Sequence, residues 1–295
     1  MKKILIGTLY SGENEYQECI DSVNCQLNAE VTHKRIEWLP KKEAHQKLFE
    51  LFENNKKNYD YFVKLDADMK FSTPLSLHYL ISKFTPDTDI ISFSVRDFFT
   101  DGPMQSLNIF SNRCGFNFAC NDELFTDNLP IEYDGKRKYL IDEPNPNIYH
   151  AFNPSEFQSF IFGIHRSLKI VQNKSKKFRV ANAYHQQKIL NSTYVNYKRE
   201  NDSRLYYAIL GAHLVLSGEI SDSVLKSKND YEDVFKKYKN THVKDKILKT
   251  YFKSTPIISI LKSVGFKKTT VGFLRYIIRK LIQISESKGV FQVRS

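Results

Sequence analysis

The sequence predicts an α/β protein: a largely parallel sheet with flanking helices, followed by a basic amphipathic helical tail. Three observations predict it. Short apolar runs alternate with helix-spaced segments over the first 95 residues, one run closes on a pair of aspartates, and positive charge collects at the C-terminal end.

Taken in order, Lys3–Thr8 is an apolar run entering a Gly-Thr loop, the pattern of a buried strand. Lys2 and Lys3 precede it as in a signal peptide. Its apolar stretch breaks at Gly7 and acidic residues follow, so the expectation is the first strand of a cytoplasmic protein. Glu15–Gln26 has helical spacing, with Tyr16, Cys19, Ile20 and Val23 on one side. Arg35–Leu39 is a second strand, closed by Pro40, and Lys42–Asn54 a helix with Ala44, Leu48, Leu51 and Phe52 as its stripe. Tyr61–Leu65 is a third strand, Pro74–Phe84 a helix and Asp89–Val95 a fourth strand. Residues 96–150, rich in aromatics, Asn, Asp and Pro, read as short strands and loops. Helices are expected at Ser155–Val171, Val180–Asn191 and Ser203–Ser217.

The 295 residues are 41% hydrophobic and 26% charged, which excludes collagen-like and wholly disordered chains, and no apolar run approaches the ~18 residues that span a bilayer. Cys19 and Cys25, and Cys114 and Cys120, have five residues between them, not metal-site spacing; reduced structural thiols are expected.

The net charge of +11 is uneven: residues 244–295 hold twelve Lys or Arg against Asp245 and Glu286, whereas residues 1–243 are almost balanced. We therefore expect a body over 1–243, divided into 1–95 and 96–243, and a tail over 244–295. A near-neutral body argues against nucleic acid as partner. Within the tail, Val271–Glu286 sets Arg275, Arg279 and Lys280 opposite Phe273, Leu274, Ile277, Ile278 and Leu281. Such a helix either lies on an anionic membrane surface or docks its apolar face on the body.

Asp66-Ala67-Asp68 closes the third strand. Ligands of open α/β sheets collect at the carboxyl ends of strands, and two carboxylates there suit Mn²⁺ or Mg²⁺ held jointly with phosphate oxygens. On the helix after Ser155, Gln158, Phe162, His165, Arg166 and Lys169 share a side, a cluster able to meet a diphosphate or an anionic acceptor, or else a solvated basic face.

These features resemble the GT-A glycosyltransferases, especially the inverting group called family two. The resemblance rests on Ile4-Leu-Ile-Gly-Thr8-Leu-Tyr10, on Glu18-Cys-Ile-Asp-Ser-Val-Asn-Cys-Gln26 and on Leu65-Asp66-Ala-Asp68, and covers about residues 1–95. It implies a GT-A-like nucleotide-binding sheet, with 1–95 the nucleotide-sugar half and 96–243 the acceptor half. By the resemblance Thr8, Leu9, Tyr10, Asp66 and Asp68 would meet the nucleotide sugar; from their place on the strand end and helix face, Lys64, Ala67, Arg166 and Lys169 are expected to join them, and Gln158 and His165 to meet the acceptor or diphosphate. Asp66, Asp68 and a later histidine, His150, would hold the metal. The first loop lacks the family's frequent Pro-Thr-Tyr-Asn, and Glu37 is the nearest acidic residue for the base.

Inverting transfer needs a carboxylate to take the acceptor's proton. Asp122 and Glu123 are the candidates chosen from the loop-rich stretch, which also offers Asp142, Glu143 and Glu156. The expected function is thus metal-dependent transfer of a sugar, of the hexosyltransferase type, to a surface-glycan or lipid-linked acceptor in polysaccharide synthesis. The protein would be cytoplasmic and peripheral on the inner face of the membrane. Alternatives are a sugar nucleotidyltransferase, for which the first loop lacks basic residues, or a non-enzymatic membrane adaptor using the tail.

Overall fold

The computed structural model describes residues 1–116, 131–140, 147–171, 178–221, 223–225 and 227–285; at 41–42 and 280–285 it describes the backbone alone. Strand β1 (Lys2–Tyr10) leads to helix α1 (Tyr16–Asn24), β2 (Ala29–Glu37), α2 (Lys41–Asn54), β3 (Tyr61–Asp66), β4 (Met69–Phe71), α3 (Ser76–Ser82), β5 (Thr88–Asp97) and β6 (Gly102–Ser111). Short strands β7 (Gly115–Phe116), β8 (Ile131–Glu132), β9 (Lys136–Leu140) and β10 (Ile148–His150) follow. The rest is helical: α4 (Glu156–Val171), α5 (Val180–Glu200), α6 (Ser203–Leu216), α7 (Lys228–Tyr238), α8 (Asp245–Phe252), α9 (Pro256–Val264) and α10 (Phe266–Ser285).

The main sheet has eight strands in the order β2-β1-β3-β6-β5-β10-β4, with β9 also on β5. β1 pairs parallel with β2 and β3, and β5 pairs parallel with β9 and β10. β6 is antiparallel to β3 and β5, and β4 to β10, so six of the eight strands share one direction. This mostly parallel sheet between helices is consistent with the GT-A-like fold expected from the sequence.

Alternation along the strands explains the layers. Ile4, Ile6, Val63 and Leu65 face one way and pack with Cys19 and Val23 of α1 and Leu77, Leu80 and Ile81 of α3. Leu5, Phe62 and Phe110 face the other way, against Leu48, Phe49 and Phe52 of α2. A third cluster lies among the helices: Phe160, Ile164 and Leu168 of α4 pack with residues of α5 and α6 and with Leu248, Phe252 and Ile260 from α8 and α9. Helices α4 and α6 approach so closely that a methyl group on Gly163 would strike the Ala208 carbonyl, and one on Gly211 the Phe160 carbonyl.

Several elements differ from expectation. β2 begins at Ala29, six residues earlier than expected, because Ala29–Lys34 is a polar stretch at the sheet edge with no apolar run to mark it. β6 is a ten-residue inner strand where the sequence suggests short pieces; Pro103, Gln105, Ser106 and Asn108 interrupt its apolar residues. α5 continues beyond Asn191 to Glu200, where Asn201 in the left-handed region (φ 54°) stops it.

Candidate functional site

The strand ends converge as the fold class requires. β3 ends at Asp66, and Ala67 and Asp68 form the turn into β4 rather than extending the strand. β10 then pairs antiparallel with β4, placing His150 opposite Met69, and the Ala151 amide donates to the Asp68 carbonyl at 2.8 Å. The result is a short row of ionisable groups. His150 Nε2 lies 3.5 Å from Asp68 Oδ2, and His150 Nδ1 lies 2.7 Å from Asp97 Oδ1 at the end of β5. The other Asp97 oxygen accepts from the Thr100 amide (2.8 Å) and hydroxyl (2.9 Å), so Nδ1 is the ring atom that donates and Nε2 is turned toward Asp68.

Electrostatics divide the two aspartates. Burial opposes charge on Asp66, but the Lys64 ammonium paired with it outweighs burial and holds the carboxyl below its usual range. Burial raises Asp68 to about 6 despite His150; Asp66 and Glu15 add to the rise. Burial likewise opposes charge on the His150 ring, yet Asp68 and Asp97 prevail and raise it to about 9. Glu15, fully buried before α1, is raised by burial and receives the Gln158 amide at 2.8 Å and the Asn153 N–H at 3.3 Å.

Asp68 Oδ1 is buried with no hydrogen-bond partner. Among the described residues no three His, Cys, Asp or Glu side chains are grouped so as to hold a metal ion together. An orphaned carboxylate oxygen beside a second carboxylate and a ring nitrogen still fits a hard divalent cation, and Mg²⁺ ordinarily takes only one or two protein carboxylates beside substrate phosphates.

The other expected residues distribute differently. Thr8 is fully buried, its hydroxyl 2.9 Å from His33 Nε2, and half-buried Leu9 packs against the core under α2. Tyr10 stacks on Tyr16 (centroids 4.3 Å apart) and meets Trp38 edge-on at 5.4 Å. Ala67 is buried. Gln158 joins the site through Glu15, whereas His165 turns to α7, its Nε2 3.2 Å from the Tyr231 hydroxyl. Arg166 reaches Gln186 of α5 at 3.1 Å and lies over the Phe162 ring, near enough to His150 to oppose its charge. Lys169 sits half-buried near the C-terminal end of α4. Glu37 pairs with Arg35 at 3.0 Å. Asp122 and Glu123, with Asp142 and Glu143, lie outside the described residues.

Sequence reasoning missed Asp97, Glu15 and Trp38. Asp97 closes an apolar strand just as Asp66 does, and the same rule applied to Val95-Arg96-Asp97 would have found it. Trp38, the single tryptophan, is 60% exposed with φ 56°, and its amide donates to the Tyr10 carbonyl at 3.1 Å. A bulky residue in the left-handed region is rare and points toward function. Arg35 lies over Tyr10 and Tyr16, and Lys228 Nζ of α7 reaches both the Trp38 ring (4.9 Å) and the Ser11 carbonyl (2.7 Å). The open recess of about 590 Å³ lined by Lys3, Lys57 and Asp60 is at the opposite, amino ends of β1 and β3, away from all of these groups.

No protein-family profile matches the chain, and no curated protein matches it by sequence. Among solved structures, a glycosyltransferase involved in glycosylating the major capsid protein of PBCV-1 superposes with a TM-score of 0.34 at 12% identity, over 52% of this chain and 94% of that one. A protein from STIV gives 0.28 at 11% identity, over 38% of this chain and 65% of that one. At these scores neither likeness bears on activity, and what the chain itself establishes is an α/β sheet with carboxylates and a histidine gathered at its carboxyl edge.

Proposed function

We propose that the protein transfers a sugar from a nucleotide-sugar donor, as the sequence's resemblance to family-two GT-A enzymes implies. The observation carrying this reading is the carboxyl end of the sheet, where Asp66, Asp68 and His150 stand on the same edge as half-buried Tyr10 and exposed Trp38. One end has the charge pattern for a diphosphate with its cation, the other an aromatic surface for a base.

Asp68, with Asp66 or His150 Nε2 as a second ligand and substrate phosphate oxygens as the rest, would hold Mn²⁺ or Mg²⁺, which when bound neutralises charge developing on the departing diphosphate. The chain's own residues supply the rest. Lys64 keeps Asp66 ionised, and Asp97 fixes the His150 ring by accepting a hydrogen bond from its Nδ1–H, leaving Nε2 for the site. Ligation through Nε2 needs the ring to give up its second proton, so cation and proton compete there. Gln158, tied to Glu15 and to the Asn14 amide, joins α4 to the β1–α1 loop. Acceptor deprotonation is assigned to Asp122 or Glu123, and the acceptor to a glycan or lipid-linked sugar.

A thermal-shift screen of nucleoside diphosphates and nucleotide sugars, with and without Mn²⁺, tests the reading. A metal-dependent rise in Tm with one nucleotide, abolished by Asp66→Asn/Asp68→Asn, is expected; no shift with any nucleotide on folded protein would overturn it. Turnover releasing pyrophosphate from a nucleoside triphosphate would instead favour a sugar nucleotidyltransferase.

A further inference from the structure

Helix α10 packs on the body with its smallest residues. Thr269 and Gly272 are buried, and a side chain at Gly272 would strike the Phe178 ring; Lys268 Nζ donates to the Val171 carbonyl at 3.3 Å. The large apolar residues point the other way. Phe266 is 75% exposed, Ile278 55%, Leu274 54% and Phe273 48%, and Val271 and Ile277 are also exposed. At 100° per residue these six span an arc of about 160° on the outer side, with Lys267 and Thr270 inside the arc, Arg275 about 40° beyond one border and Arg279 about 80° beyond it. The sequence left two options for an amphipathic helix here, and an apolar face docked on the chain's own body is not the arrangement observed over residues 266–279.

We propose that this outer face of α10 is an interaction surface for an anionic lipid bilayer. The partner follows from charge. A second copy of the chain would bring Arg275 and Arg279 toward their own counterparts, in a segment holding twelve basic residues against two acidic ones, whereas anionic headgroups complement them. No helix among the described residues is long and apolar enough to cross a membrane. α10 therefore lies in the interfacial plane, Phe273, Leu274, Ile277 and Ile278 entering the acyl boundary and the arginines staying with the headgroups. This surface stands independently of the transferase reading, since none of its residues belongs to the strand-end site.

The test is co-sedimentation of the full chain with phosphatidylcholine vesicles and with vesicles also containing phosphatidylglycerol. Binding is expected to the anionic vesicles and to weaken with salt. Arg275→Gln/Arg279→Gln should lower the partition coefficient roughly 30-fold, at about 1 kcal/mol per cationic side chain near the surface. Leu274→Ser/Ile278→Ser should lower it by at least ten-fold, about 0.8 kcal/mol per buried CH₂ being lost. Both variants change exposed residues and should keep the parent Tm. Equal binding to both vesicle types, or binding that neither variant weakens, would overturn the proposal. So would light scattering showing a dimer that Leu274→Ser/Ile278→Ser dissolves, in a protein that ignores vesicles.

Discussion

His150 shows how one residue draws its properties from two others. In metal-free protein its ring pKa of about 9 lies above the ordinary 6.5, so its contribution to stability is complete below 6.5 and lost as pH rises through 9. We expect apparent stability measured with a chelator present to fall over that window, by up to about 3 kcal/mol. Asp97→Asn should flatten the fall and bring the ring titration, followed by NMR, back toward lower pH. Asp68 has the same sign at lower pH: raised to about 6, it costs stability as pH climbs from the ordinary 3.8. The thiols separate as clearly. Burial pushes Cys19 and Cys114 up to about 12, while Cys25 is exposed. An aromatic disulfide reagent at neutral pH should modify Cys25 in native protein and reach Cys19 and Cys114 only on unfolding, as located by mass spectrometry; prompt modification of Cys19 would contradict its burial.

At the level of elements, α4 and α6 depend on Gly163 and Gly211. Gly211→Ala gains about 1 kcal/mol of helix propensity, but the methyl meets the Phe160 backbone, which cannot rotate away. Overpacking of this kind costs roughly 1–3 kcal/mol or more, so we expect a net loss of stability and a Tm lower by several degrees in calorimetry. The sequence showed neither glycine's purpose, because close approach belongs to a pair of helices and not to one. It did show β1, α1, α2, β3 and α4, whose apolar spacing is strong and local. The first six residues of β2 escaped because an edge strand is often polar, and β6 because its partners β3 and β5 supply the order its own residues do not declare. The site follows the same division. Asp66 and Asp68 were legible as a strand-end motif, whereas the link from His150 to Asp97 exists only through the pairing of β10 with β5.

Across the whole molecule, charge and packing change at different places. Basic residues dominate from Lys244, yet Leu248, Phe252 and Ile260 are almost fully buried with α4–α6, and the Tyr194 hydroxyl donates to Asp245 at 2.7 Å. Ending the chain at residue 243 should therefore open the helical core: each lost large apolar side chain is worth roughly 2–5 kcal/mol, and the cooperative unfolding transition should collapse. Ending it at residue 264 removes α10 and should leave a folded protein with a modestly lower Tm. Circular dichroism melts of the two truncations distinguish these outcomes; equal stability would mean that α8 and α9 contribute nothing to the core.

The chain has one tryptophan, and it stands in the open beside Tyr10 and Lys228. Its emission is then already that of a hydrated indole in the native state, so denaturation followed at that wavelength will look almost silent while the core comes apart. The same indole is a reporter of its own few ångströms: a base stacking on it, or a shift of α7 against the β1–α1 loop, would change its brightness without any change in the fold.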